Sequence, residues 1–142
     1  MFVKISNGAV ERFPYTLSDL RRDNPNVSFP ATVPDAELAS YGVERVTAAT
    51  APDSDSRTHT LERSCSLIDG AWTEVWTESQ RESAVAAKNI RDQRNQLLAE
   101  TDWTQLSDSS VASTWTTYRQ ELRDVPAQDG FPYSVTWPTK PS

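Results

Sequence analysis

Three observations on this chain predict an α+β fold. Two turn pairs, Asn7-Gly8 and Asp69-Gly70, each interrupt a run of strand-type alternation. The stretch from Glu78 to Glu100 contains no proline and no glycine. Val111, Trp115, Tyr118 and Leu122 recur at the 4-3-4 spacing of an amphipathic helix. Together they predict a β-hairpin-rich N-terminal half, then a long helix and a C-terminal helical hairpin with an extended Trp-Pro tail. The corresponding regions are a β-rich segment at 1–77 and a helical module at 78–142.

The first hairpin is expected over residues 1–15. Phe2, Lys4 and Ser6 alternate against Val3 and Ile5, and Ala9–Phe13 supplies the returning arm. Asn-Gly suits a type I′ turn, whose two central residues both need positive φ. Pro14 has no N–H and is expected to stop the second strand. Ser18–Arg22 makes at most a short helical turn, capped by Thr16 or Ser18 and ended before Pro25. Residues 23–34 contain three prolines and read as loop. Pro34-Asp35 opens a second short helix over Ala36–Tyr41, Gly42 closes it as a left-handed cap, and Val43–Thr47 follows as a strand.

Residues 48–58, AATAPDSDSRT, read as a turn-rich linker. The second hairpin pairs Thr58–Ile68 with Ala71–Thr77. Trp72, Glu74 and Trp76 share one face of its second arm, opposite Thr73 and Val75. Such tryptophans pack against a core or a helix; left exposed, they form a partner-binding stripe. The long helix carries a capping-box pattern, Ser79 with Glu82. Its apolar stripe of Ser83, Ala87, Ile90, Arg94 and Leu97 is narrow. It reads either as a coiled-coil seam interrupted by Arg94 or as a solvated helix packing only through Ile90, Leu97 and Leu98. The last helix is expected over Ser110–Asp124, capped by Asp108, Ser109 or Ser110 and ended by Pro126. The short connection makes the two helices a hairpin, with Trp103 and Leu106 plugging its closed end.

Composition removes several function classes. A net charge of −6 argues against nucleic acid, which needs a basic surface, and against an anionic membrane surface. No run approaches the roughly 18 apolar residues of a membrane span, and MFVKISNGAV lacks the apolar core of a signal peptide. The expectation is a soluble protein made in the cytoplasm. Cys65 is alone and is expected to act as a small buried apolar residue. Hydrophobic content is 37%, below the roughly 45–50% of ordinary domains. With nine prolines, this suggests a thin core completed by a partner; five tryptophans partly offset it.

No reaction chemistry is visible. His59 has no Cys or His neighbour at ligand spacing, so no metal site is expected. No nucleophile elbow or phosphate-binding loop is present, and no cofactor is implied. Asp102 and Asp108 form the nearest candidate carboxylate pair for glycoside cleavage. Their places at the end of one helix and before the next fit helix caps better. Arg81, Lys88, Arg91 and Arg94 are diluted by Glu82, Asp92 and Glu100 and read as a solvated face. No catalytic, metal-binding or cofactor-binding residue is assigned, and the protein is not expected to be an enzyme.

Three segments together carry a resemblance. They are Arg91-x-x-Arg94-Asn95-x-Leu97-Leu98-x-x-Thr101-Asp102-Trp103-Thr104-Gln105-Leu106-x-Asp108, Trp115-x-x-Tyr118-Arg119-Gln120-x-Leu122-Arg123-Asp124-x-Pro126, and Phe131-Pro132 with Val135-x-Trp137-Pro138-x-Lys140-Pro141. In this order they resemble phage tail assembly chaperone proteins, and the second half also resembles the end of tail fibre assembly chaperones. The N-terminal part, Met1–Ile5 through Tyr15 and Leu20–Pro25, looks like the segment that often precedes this module in phage tail proteins. The resemblance implies a small accessory protein, usually encoded beside the fibre gene, that helps the fibre fold or trimerise. Some such proteins remain bound at the fibre tip, and similar modules end larger fibre proteins.

The implied partner is a phage tail fibre or baseplate protein, with a homo-oligomer as a further option. The implied location is the host cytoplasm and then the virion tail. Ala87, Ile90 and Leu97 on the long helix, with Arg119 and Arg123 on the last one, are the expected partner-binding residues. Trp103, Trp115, Tyr118 and Trp137 are the expected aromatic cluster that fixes the tail. Two rivals stay open at this point. One is a structural virion protein, a short fibre or a baseplate-to-fibre adaptor, oligomerising through the long helix. The other is a glycan-binding or depolymerising tip using the strand of Trp72 and Trp76.

Overall fold

The computed structural model describes residues 1–106 and 113–141. The chain divides into two compact units, Met1–Asp53 with Leu61–Thr77, and Ser54–Thr60 with Glu78–Ser142.

In the first unit, β1 (Phe2–Ser6) lies between β2 (Ala9–Tyr15) and β3 (Val43–Arg45), antiparallel to both. Asn7 (φ 52°) and Gly8 (φ 77°) form the expected turn. Pro14 does not stop β2, which continues to Tyr15. The strand is at a sheet edge, where a missing N–H need not cost a ladder bond. Register shifts against β1 let Tyr15 pair with Phe2 after Arg12 has paired with Lys4. α1 (Leu17–Asp23) is capped by Thr16 rather than Ser18, in a reciprocal capping box with Asp19. α2 (Asp35–Ser40) follows Pro34 and is closed at Gly42 (φ 67°). A Cβ at Gly42 would stand 2.6 Å from the Ile5 carbonyl oxygen, so the site needs glycine for both its backbone and its neighbour.

Side chains alternate across β1 and build a core on each face. Phe2 packs under the two helices with Tyr15, Leu20, Phe29, Val33, Leu38 and Val43. Val3 and Ile5 pack on the other face with Phe13, Val46, Cys65 and Trp72. Cys65 is a buried free thiol whose pKa burial pushes up.

The second hairpin, β4 (His59–Ile68) and β5 (Ala71–Gln80), turns at Asp69 (φ 50°) and Gly70 (φ 78°). The expected strand to Thr47 ends at Arg45, but Thr47 makes an isolated parallel bridge to β5. Its N–H donates to the Trp72 carbonyl, and its carbonyl accepts from the Glu74 N–H, both at 2.9 Å. Glu74 is only 4% exposed. Its carboxylate accepts from the Ala49 N–H at 2.9 Å and from the Arg63 guanidinium. These bonds, the Ala49 one foremost, hold its pKa below the ordinary carboxylate value despite burial. Trp72 joins the core, and Trp76 donates its indole N–H to the Ala49 carbonyl at 3.3 Å beneath Arg63. The tryptophan face of β5 is therefore engaged within the unit, which removes the observation behind a glycan-binding stripe.

In the second unit the long helix starts later than its composition suggests. α3 spans Ser83–Ala99, Ser79 remains in β5, and Glu82 makes no side-chain cap. The backbone there has other partners. The Arg81 N–H donates to the Thr58 carbonyl at 2.9 Å, and the Thr60 hydroxyl donates to the Ser79 carbonyl at 3.3 Å. Residues 54–60 are likewise more than a linker. The Asp55 carbonyl accepts from the His59 N–H at 2.8 Å, and its carboxylate accepts from the Arg57 N–H and Nε. Those Arg57 bonds hold the Asp55 pKa down. The Arg57 carbonyl then accepts from the Asn89 amide on α3 at 2.9 Å, and the Arg57 guanidinium reaches Gln93.

α4 (Ser113–Asp124) buries Tyr118, Arg119 and Leu122 and packs on α3 as a helical hairpin. The expected first turn of this helix, with Val111 and the caps at Asp108, Ser109 and Ser110, lies outside the described residues. The short 3-10 turn Val125–Ala127 touches both helices through a region that includes fully buried Val125. The tail is tied down near the start of α3. The Tyr133 hydroxyl donates to the Arg81 carbonyl at 2.7 Å, and the Arg91 guanidinium lies 5.1 Å from the centre of the Phe131 ring.

Candidate partner-binding site

The site is built around the end of α3, where the last carbonyls have no partner within the helix. Thr101 is fully buried and donates its hydroxyl to the Leu98 carbonyl at 2.8 Å. A 3-10 turn, Asp102–Gln105, follows, and within it the buried Thr104 hydroxyl donates to the Thr101 carbonyl at 2.7 Å. Arg119 approaches from α4 and is 6% exposed. Its Nη1 donates to the Leu98 carbonyl at 2.7 Å and to the Thr101 hydroxyl oxygen at 2.6 Å. Its Nη2 donates to the Asp102 carboxylate at 3.0 Å. A cation here complements the negative end of the helix dipole, and a planar fork reaches several acceptors that a lysine ammonium would not.

The threonines at 101 and 104 turn inward, so the residues beside them turn outward. Trp103 is 50% exposed and Leu106 is 60% exposed. The expected plug at the closed end of the hairpin is therefore not aromatic: threonine hydroxyls and Arg119 occupy the interior. Trp103 meets half-buried Trp115 edge to face at 5.3 Å, and Trp115 meets Tyr118 at 6.2 Å. Trp137 stands apart from this ladder. It lies with Pro138 beside Glu121 and Gln128, and the Gln128 amide pins Thr136 through bonds of 2.8 and 2.9 Å.

The expected partner-binding residues separate in the same way. Ile90 is fully buried and Ala87 is 8% exposed inside the unit, so neither side chain is free to meet another chain. With Ala86 they form the buried face of α3, which sequence spacing reads as a narrow seam. Leu97 is half-buried, Arg119 is internal, and Arg123 is exposed. The exposed surface that sequence reasoning missed is Trp103 with Leu106. Its available signal was the Thr101–Thr104 pair, which directs the intervening aromatic to solvent. Among the described residues no group of three His, Cys, Asp or Glu is placed to hold a metal ion, and no helix is long and apolar enough to cross a membrane.

The hairpin thus displays an aromatic pair over an interior locked by one arginine. Residues 87–142 match the family described as phage tail assembly chaperone protein. The matched segment runs from Ala87 through α3, the corner, α4 and the tail, and contains all three motif segments. No curated protein and no solved structure gives a significant match to the chain.

Proposed function

We propose that this protein is a non-enzymatic tail fibre assembly chaperone or fibre-associated component that binds the tail fibre protein. It acts in the host cytoplasm and remains with the virion tail. The observation that carries this reading is the coincidence of the family match with an exposed apolar surface inside it: Trp103, Leu106 and the outer edge of Trp115. Exposed tryptophan beside aliphatic surface is the usual anchor of a protein interface. Arg123 adds an exposed cation on the same helix as Trp115. The rival reading, a structural virion protein oligomerising along α3, loses its seam because Ala87 and Ile90 are interior.

The test is co-expression with the fibre protein, followed by size-exclusion chromatography with light scattering. The native chain should co-elute with the fibre. Trp103→Ala and Leu106→Asp should weaken co-elution while leaving the fold intact, since both side chains are at least half exposed. A native chain that ignores the fibre protein refutes the function, and unchanged binding by both variants moves the contact off this surface. Mass spectrometry of purified virions decides whether the protein stays in the particle.

A further inference from the structure

The outer edge of β4 carries a row of unpaired backbone groups. Positive φ at both Asp69 and Gly70 makes a two-residue turn, so Ile68 and Ala71 exchange backbone bonds. The same exchange recurs every second residue, setting Ser66 opposite Thr73, Ser64 opposite Val75 and Glu62 opposite Thr77. The Ser64 hydroxyl donates to the Val75 carbonyl at 3.3 Å, in keeping with this register. The register turns the Trp72 carbonyl and the Glu74 N–H away from β4, and both bond Thr47 at 2.9 Å. The N–H and C=O groups of Leu61, Arg63, Cys65 and Leu67 are turned away from β5 by the same alternation. Among the described residues no strand pairs with β4 on that side.

This edge lacks the usual guards. Edge strands are commonly short or carry lysine or proline, whereas β4 has ten residues and contains neither. It is open along its length: Glu62, Ser64 and Ser66 are exposed, and Leu67 is 59% exposed. Its charged residues are Glu62 and Arg63, and the Arg63 guanidinium is already held by the Glu74 carboxylate.

We propose that β4 pairs edge to edge with β4 of a second copy of this chain, antiparallel about a two-fold axis at Ser64. The occupant is a second copy because the edge is complementary to itself. About Ser64, Leu61 meets the second copy's Leu67 and Arg63 meets its Cys65, so all four outward residues face outward residues. Exposed Leu67 gains an aliphatic neighbour, and Glu62 falls opposite a serine, Ser66 of the other copy. No charge faces a like charge. Neighbouring registers do worse. An axis at Glu62 or Arg63 sets that charge directly against its own copy, which is destabilising. An axis at Cys65 or Ser66 leaves the outward groups of Leu61 unpaired. The pairing joins two hairpins into one sheet, and it uses neither α3 nor the Trp103 surface, so it stands apart from the fibre-binding function proposed above.

The experiment uses the full chain alone. A contact of one strand edge belongs to the small, weak class, so sedimentation equilibrium should show the mass rising from monomer toward dimer between about 10 μM and 1 mM. The register is read by cross-linking in a Cys65→Ala background, which leaves a single engineered thiol. At the axis the two copies of residue 64 form a non-hydrogen-bonded pair with Cα atoms about 4.5 Å apart, within disulfide range. Ser64→Cys should therefore give a covalent dimer on mild oxidation. Ser66→Cys should not, since its two copies lie about 13 Å apart along the strand. Ser64→Lys sets two ammonium groups opposite each other and should weaken the dimer about fivefold or more. Should a variant disturb the fold, hydrogen exchange on the native chain decides: the Leu61, Arg63, Cys65 and Leu67 amides should exchange fast when dilute and slowly when concentrated. A chain monomeric at about 1 mM overturns the pairing. So does a dimer that cross-links equally through residue 66, or one in which these amides stay unprotected. Protection that appears only when the fibre protein is added means that a fibre strand takes the edge, and also overturns it.

Discussion

Replacing Arg119 tests the account of the corner most directly. Its guanidinium makes three bonds of unequal value. The one to Asp102 joins a buried cation to a carboxylate that is 67% exposed, so solvent screens it and its contribution is below about 1 kcal/mol. The bonds to the Leu98 carbonyl and the Thr101 hydroxyl are internal, and a bond to a charged donor contributes about 1.5–3 kcal/mol. Two effects reduce the total. The Leu98 carbonyl keeps the Thr101 hydroxyl and N–H as donors, and the buried Arg119 Nε, which has no partner among the described residues, ceases to be a cost. Arg119→Met, which retains most of the stem's packing, should therefore lose about 2–3 kcal/mol. Arg119→Ala adds a cavity and should lose about 3–5 kcal/mol. Asp102→Asn should change stability by less than about 1 kcal/mol. Urea unfolding followed by far-ultraviolet circular dichroism measures all three. A loss under about 1 kcal/mol for Arg119→Met, or an Asp102→Asn effect as large as it, would refute the claim that the arginine works by holding the end of α3.

Ile90→Asp should destabilise the second unit by about 4 kcal/mol or more, because it puts a carboxylate at a fully buried position; a folded variant with unchanged urea midpoint would return Ile90 to the surface. Gly42→Ala should lose at least about 2 kcal/mol from positive φ and the close Ile5 carbonyl, and thermal melting would detect it. Glu74 has a folded pKa below its ordinary 4.5, so its contribution is present above that value and is lost as pH falls through the folded pKa. Glu74→Gln should then show a shallower fall in stability than the native chain as acid is added below pH 4.5, and parallel curves would contradict the sign.

The parts of the fold that were legible in the sequence are those whose cause is local. Asn7-Gly8, Asp69-Gly70 and Gly42 announce themselves because positive φ restricts the residue type at one position. The start of α3 was hidden because its signal is non-local. Glu78, Ser79 and Glu82 suit a helix start, yet the Thr58 and Thr60 backbone and hydroxyl bonds draw the chain on as a strand to Gln80. The candidate site was half legible for the same reason. Arg119 stands out among the expected partner-binding residues, but that its acceptor is the Leu98 carbonyl depends on how α4 crosses the end of α3. Ala87 and Ile90 misled because the same narrow apolar stripe serves a seam between chains or a close approach within one. Residues 54–60 carried only turn composition, and their bonds to Asn89 and Gln93 follow from tertiary placement.

That last segment has a consequence for where the folding unit begins. The matched family segment begins at Ala87, inside α3, whereas the unit it belongs to also takes in residues 54–60 from earlier in the chain. The matched segment alone therefore lacks Arg57, Thr58 and the first turn of its own helix, and leaves Asn89 and Gln93 facing an empty side. In this chain the C-terminal sequence is thus an incomplete folding unit until residues 54–60 close over it.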